Sequence, residues 1–131
     1  MNTQDPISDL LVQIKNAYSA KKTYIVVFYS KLKLAIIDLL KKECFLNNYF
    51  ILDENPKKIK IFLKYYSDKV PVIRKITKIS KNSSRVYCKR KNLPRVLNGF
   101  GIAIISTPVG LLTDYDARKM GYGGEILCFI E

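Results

Sequence analysis

From Lys58 to Tyr65 lysine and apolar residues alternate. Ile59, Ile61, Leu63 and Tyr65 fall on one side, Lys58, Lys60 and Lys64 on the other, and Phe62 interrupts the polar side. A two-residue period belongs to a β-strand with one buried and one solvated face. Such a strand needs a pairing neighbour and an apolar layer over its buried side. The neighbour stands just upstream: 48–53 reads as a second strand, and Glu54, Asn55 and Pro56 as the turn between them.

The covering layer comes from two amphipathic helices. Residues 5–18 place Ile7, Leu10, Leu11, Ile14, Ala17 and Tyr18 on one face, with Asp5 as N-cap and Pro6 at the first helical position. Ser30 caps a second helix over 31–44, with Leu32, Ala35, Ile36, Leu39 and Leu40 inward. Between the helices, "TYIVVFY" at 23–29 reads as a short buried strand. The order helix, strand, helix, strand, strand makes a small α/β lobe, and the connector 66–72 ends it.

The remainder reads as mainly β. Strands are expected in "VIRKITKISK", in 85–91 after a turn at "KNSS", in "GIAIIS" at 101–106, in 111–113 and in 124–131. A short helix is expected from Asn92-Leu93-Pro94 to Gly99. A second is expected over 114–120, started by Thr113 with Asp116 and stopped by Gly121. The expected fold is therefore α+β: an N-terminal α/β lobe over 1–66 and a mainly β C-terminal lobe with short helices over 67–131.

Charge narrows the function. The 131 residues carry a net charge of +12. Residues 56–95 hold fourteen Lys or Arg against one acid (Asp68), a net of +13, while 1–55 net +1 and 96–131 net −2. A block of this kind makes a concentrated positive field that attracts a polyanion. Lys outnumbers Arg 18 to 5, and Ile, Asn and Tyr are abundant, the usage of an AT-rich genome.

Other classes fall away. With no histidine, His-based acid–base catalysis, Ser-His-Asp triads and His-containing zinc sites are excluded. Cys44, Cys88 and Cys128 lack paired spacing and read as buried or partly buried free thiols. There is no apolar run near 18 residues, and "MNTQDPISDL" is neither a signal nor a transit peptide, so no membrane association is expected. No catalytic residue, metal site or cofactor is expected.

Three stretches could carry binding. Lys31 and Lys33 sit in the first turn of the second helix, where cations oppose the helix dipole but join free N–H groups that suit a phosphate. "RVYCKRK" sets Tyr87 among Arg85, Lys89, Arg90 and Lys91; a ring beside cations suits an unpaired base, and an edge strand with a core-facing Tyr is the equal alternative. Ser106 and Thr107 end an apolar strand before Pro108 and Gly110, either as an ordinary turn or as hydroxyl contacts to RNA. Beyond these, Gly123 and Gly124 suggest close approach of a ligand to the backbone. A small-ligand or catalytic α/β protein using the Gly-rich 110–125 region is the alternative function.

"QDPISDLLVQIKNA", "SKLKLAI", "LKYY" and the whole of 93–131 together resemble the bacterial-type family of small-subunit ribosomal protein eight. The similarity runs from residue 4 to the end. The elements L-P-x-V-x-x-G-x-G-I, S-T-x-x-G, T-D-x-x-A-R and G-G-E occur in order and at the family spacing. The resemblance implies a two-lobed, non-enzymatic protein bound to the central domain of small-subunit ribosomal RNA, with neighbouring ribosomal proteins as further partners and no small-molecule substrate. It places the protein on a cytoplasmic bacterial ribosome, or an organellar one. It implies that Ser106, Thr107, Gly123, Gly124, Glu125 and Tyr87 meet a non-helical core within an RNA stem. Lys15 and Asn16, with Ser30, Lys31 and Lys33, would lie along the RNA backbone. Two departures stand out. Pro108 replaces the third residue of the usual S-T-S loop, removing a hydroxyl and an N–H, and "KNSSR" at 81–85 replaces the usual R-P-G-L-R.

Overall fold

The computed structural model describes residues 5–81, 83–96 and 100–131. Its contacts divide the chain into two compact units, 1–73 and 74–131. The sequence placed this boundary after residue 66. The division falls later because the connector folds back: β4 (Tyr65–Tyr66) pairs with β5 (Val70–Pro71), and Val72 N–H donates to Lys64 O at 3.2 Å.

The first unit is α1 (Pro6–Ser19), β1 (Tyr24–Phe28), α2 (Lys31–Lys42), β2 (Leu46–Leu52), β3 (Lys58–Leu63) and the β4–β5 ribbon. Asp5 caps α1 by accepting from Ser8 N–H at 3.1 Å, and Ser30 caps α2 by accepting from Lys33 N–H at 3.1 Å. The sheet order is β1-β3-β2, antiparallel throughout, with the alternating strand in the middle. Ile59, Ile61 and Leu63 are buried beneath the helices with Leu10, Ile14, Ile36 and Leu40. Tyr18 ties the layers together: its hydroxyl donates to Phe45 O at 2.8 Å and accepts from Lys64 N–H at 3.1 Å. Burial pushes that phenol up to about 12.

Two expectations for this unit are corrected. β1 is not a buried strand but an edge strand, with only Val27 fully inside; Tyr24, Val26 and Phe28 face solvent. A continuous apolar run does not reveal that only one of its faces has a cover. In α2 the inward residues are Lys33, Ile36, Ile37 and Leu40, whereas Leu32 and Ala35 are exposed. The inward face is carried by Ile36, Ile37 and Leu40 and takes in Lys33, whose ammonium lies 3.8 Å from Asp9 Oδ2.

The second unit is β6 (Ile76–Lys78), β7 (Tyr87–Cys88), β8 (Ile102–Thr107), β9 (Gly110–Thr113), α3 (Asp114–Met120) and β10 (Gly124–Ile130). β10 is the central strand. β8 pairs along one edge and continues to β9; β6 and β7 pair with opposite ends of the other edge. Val96, Ala103, Ile105, Ala117 and Ile126 form its core cluster. α3 starts as the sequence indicates: Thr113 Oγ1 accepts from Asp116 N–H at 3.0 Å, and Gly121 ends the helix at φ 82°. Asp114 is buried, accepting from Ala103 N–H at 2.9 Å and facing Arg118 at 3.4 Å. Arg90–Asn92 forms a 3₁₀ turn, and 93–95 is not helical. Val96 is not helical either; residues 97–99 of the expected 92–99 helix, and Asn82, lie outside the described residues. Of the cysteines, Cys128 is buried and Cys88 partly so, but Cys44 is exposed just past the end of α2.

Candidate nucleic-acid interface

In the second unit the hydroxyl pair ends β8 at a hairpin. Ser106 pairs with Leu111 and Thr107 with Gly110, leaving Pro108 and Val109 as the loop. Thr107 Oγ1 donates to Gly110 O at 2.7 Å and accepts from Val109 N–H at 3.2 Å. It therefore closes the turn. Pro108 costs the ladder nothing, because pairing stops at Thr107, and its fixed φ suits a turn position. Gly110 takes φ 115°, a conformation that favours glycine. Ser106 has no side-chain hydrogen-bond partner among the described residues, so its hydroxyl is available to a ligand.

Register brings the other candidates alongside. Glu125 on β10 pairs with Tyr87 on β7 on one side and with Ser106 on β8 on the other. Tyr87, Glu125 and Ser106 thus form one row across three strands, though 38 sequence positions separate Tyr87 from Glu125. Tyr87 is 68% exposed. Glu125 does not present a bare carboxylate: Arg85 Nη1 donates to its Oε2 at 3.0 Å. Lys89 and Arg90 are exposed just after β7, at the 3₁₀ turn.

Gly123 and Gly124 are explained by the chain itself. A Cβ on Gly123 would overlap Cys88 O and the Arg90 backbone, and one on Gly124 would overlap Ser106 O. Their bareness lets β7, β8 and β10 close up, which sets the row above them. This packing accounts for both glycines from within the chain.

In the first unit, Lys15 and Asn16 are exposed on the last turns of α1. Asn16 borders an open cleft of about 730 Å³ between the end of α1 and β1. Ser30 is occupied as a cap, and Lys31 is exposed beside it. Lys33 is the exception among the expected contacts. It is 4% exposed, its ammonium lies 3.8 Å from Asp9 Oδ2, and it donates to Phe28 O at 3.3 Å. That ammonium is committed to the protein and is not presented to a phosphate.

Sequence reasoning missed the Arg85–Glu125 pair, the burial of Lys33 and the exposed ring-bearing face of the first sheet. For the last, the signal was present: Tyr24, Val26 and Phe28 alternate in β1 just as Phe62 breaks the polar side of β3.

Among the described residues no helix is long and apolar enough to cross a membrane, and no group of three or more Cys, Asp or Glu is placed to hold a metal. A basic two-unit α+β chain with a polar row aligned across its second sheet is the build of a binding protein. The chain matches the family described as ribosomal protein S8 over residues 5–130. Among curated relatives it is 48% identical to small ribosomal subunit protein uS8 of Wigglesworthia glossinidia brevipalpis, over the full length of both chains. It is 47% identical to that of Buchnera aphidicola subsp. Schizaphis graminum and 43% identical to that of Chloroflexus aggregans, in each case over 99% of both chains. The chain belongs to the ribosomal protein S8 family. It is a structural, non-enzymatic constituent of the small ribosomal subunit that binds ribosomal RNA, and the small-ligand or catalytic reading of 110–125 is withdrawn.

Proposed function

We propose that this chain binds the central domain of small-subunit ribosomal RNA at an irregular point within a stem, and stabilises that fold during subunit assembly. The observation that carries the reading is the cross-strand row of Tyr87, Glu125 and Ser106. It sets a ring, an acceptor and a free hydroxyl side by side, groups that read unstacked bases and 2′-hydroxyls. Thr107 shapes the hairpin that holds Ser106, and Gly123 and Gly124 let the strands close. Lys89 and Arg90 supply phosphate contacts beside the row. In the first unit Lys15 and Asn16 at the end of α1, and Ser30 and Lys31 at the start of α2, lie along the RNA backbone. Lys33 serves only to anchor the start of α2. The relatives named from Buchnera and Wigglesworthia support a bacterial source, and the lysine-rich usage an AT-rich genome.

The test is a salt titration against two RNAs: the central-domain stem, and a regular duplex of equal length. Charge alone gives affinity that falls linearly with log salt on both. The stem is expected to keep an advantage of several kcal/mol at high salt, and Ser106→Ala to reduce it without changing duplex binding. Lys89→Ala should weaken both and flatten the slope by about one unit. If the two RNAs fall together to nothing, the row does not read RNA.

A further inference from the structure

The helices of the first unit cover only one face of its sheet. On the other, register lines up Tyr24 with Phe62, Phe50 with Lys60, and Phe28 with Lys58. Phe28 is 59% exposed, Phe50 53% and Tyr24 47%. The rings touch: Tyr24 and Phe62 lie 6.0 Å apart, and Phe50 meets Phe62 edge-on at 5.8 Å. The cations sit on them. Lys60 Nζ is 4.3 Å from the Tyr24 ring centre and 5.2 Å from that of Phe62, and Lys58 Nζ is 6.0 Å from that of Phe28. No Asp or Glu occupies any outward position of the three strands on this face.

We infer that this face is a stacking platform for an unpaired RNA strand, distinct from the stem-binding row and independent of it. Exposed rings on a sheet, two ammonium groups among them and no acid give what a flexible polyanion with flat bases requires. Each ring offers a stacking surface to any base, and each lysine can turn from its ring to a neighbouring phosphate. The cores of protein–protein interfaces are instead depleted of lysine, and here Lys60 lies at the centre of the patch.

The experiment uses the whole chain and three labelled octamers, oligo-U, oligo-A and an abasic ribose-phosphate strand of equal charge, followed by fluorescence anisotropy near physiological salt. The base-bearing strands are expected to bind at least about tenfold more tightly than the abasic one. Phe28→Ala with Phe50→Ala should remove that advantage, with the circular dichroism spectrum and the affinity for the stem unchanged. Lys60→Gln keeps the rings and should flatten the salt slope by about 0.7. Ser106→Ala should leave octamer binding intact, so failure of the stem reading does not touch this one. Equal binding of abasic and base-bearing strands overturns the platform. Full octamer affinity in the folded double variant overturns it too. So does absence of octamer binding, and if the chain then self-associates through Phe28 and Phe50 in sedimentation, the face belongs to a protein partner.

Discussion

Replacing Lys33 by methionine tests both the packing and the site. The substitution keeps most of the stem and deletes the ammonium. Asp9, whose side chain is only 10% exposed, is left with the Gln13 amide at 2.8 Å as its remaining donor, and Phe28 O loses the Lys33 bond. Removing one partner of a buried ion pair costs about 3–5 kcal/mol. The 3.8 Å separation is long for such a pair and Gln13 stays in place, so the low end applies, about 3 kcal/mol. With a urea m-value of about 2 kcal/mol/M for a chain this size, the unfolding midpoint should fall by roughly 1.5 M. Lys33→Met combined with Asp9→Leu removes both charges and should recover most of that loss, since an apolar pair replaces a buried ionic one at little cost. The recovered double variant should bind the stem with an unchanged salt slope, because neither side chain reaches the RNA. The reasoning is refuted if Lys33→Met costs less than about 1 kcal/mol, or if the two losses add instead of cancelling. A slope flattened by about one unit in the double variant would instead return Lys33 to the phosphate contacts.

Gly124→Ala should destabilise the second unit by about 2 kcal/mol or more, read from its melting temperature, because the methyl can be housed only by parting β10 from β8 at Ser106. Cys128, buried and pushed up to about 12, stays protonated in the fold while the unfolded thiol ionises near 9.0. Its contribution is complete below pH 9 and is lost as the pH climbs toward 12, so stability should decline on that alkaline limb and Cys128→Ala should flatten the decline's onset. A thiol reagent should accordingly modify Cys44 first and Cys128 only on unfolding. Arg85→Ala should reduce stem affinity by more than one lost cation, because it bares Glu125 toward the RNA; adding Glu125→Gln should restore part of the loss, and no restoration would refute that role for the pair.

What the sequence made legible was whatever local chemistry decides. Asp5 before Pro6, Ser30 before Lys31, and Thr113 three residues before Asp116 are caps whose donors lie within one turn, and all three bonds form. The alternation of β3 needs only its own period. What stayed hidden depends on distant partners. Nothing near Lys33 in sequence announces Asp9 beneath it, so a lysine in a first helical turn reads as a surface cation. The run at 23–29 cannot show that β1 lies at an edge. Nothing near Gly123 and Gly124 announces that Cys88 O and Ser106 O stand where their side chains would be. The row itself was half legible: its members came from the resemblance, but the register that aligns Tyr87, Glu125 and Ser106 belongs to the sheet.

The division of labour between charge and shape follows from where the cations lie. The fourteen Lys and Arg of 56–95 are divided between the two units, five in the first (57–69) and nine in the second (74–95). At physiological salt fields decay over about 8 Å, so most of these charges act on an approaching RNA only when it is already near. They raise the encounter rate and hold any RNA loosely, with little regard to sequence. Selectivity has to come from groups that salt does not screen and that demand a particular geometry. Ser106 and Tyr87 are uncharged, and Glu125 is neutralised by Arg85. The row is thus nearly silent electrostatically, and of its members only Tyr87 comes from the basic block. On the proposed reading a regular duplex offers it no unstacked base to meet, so it adds nothing there, and the advantage of an irregular stem should be concentrated in those three positions.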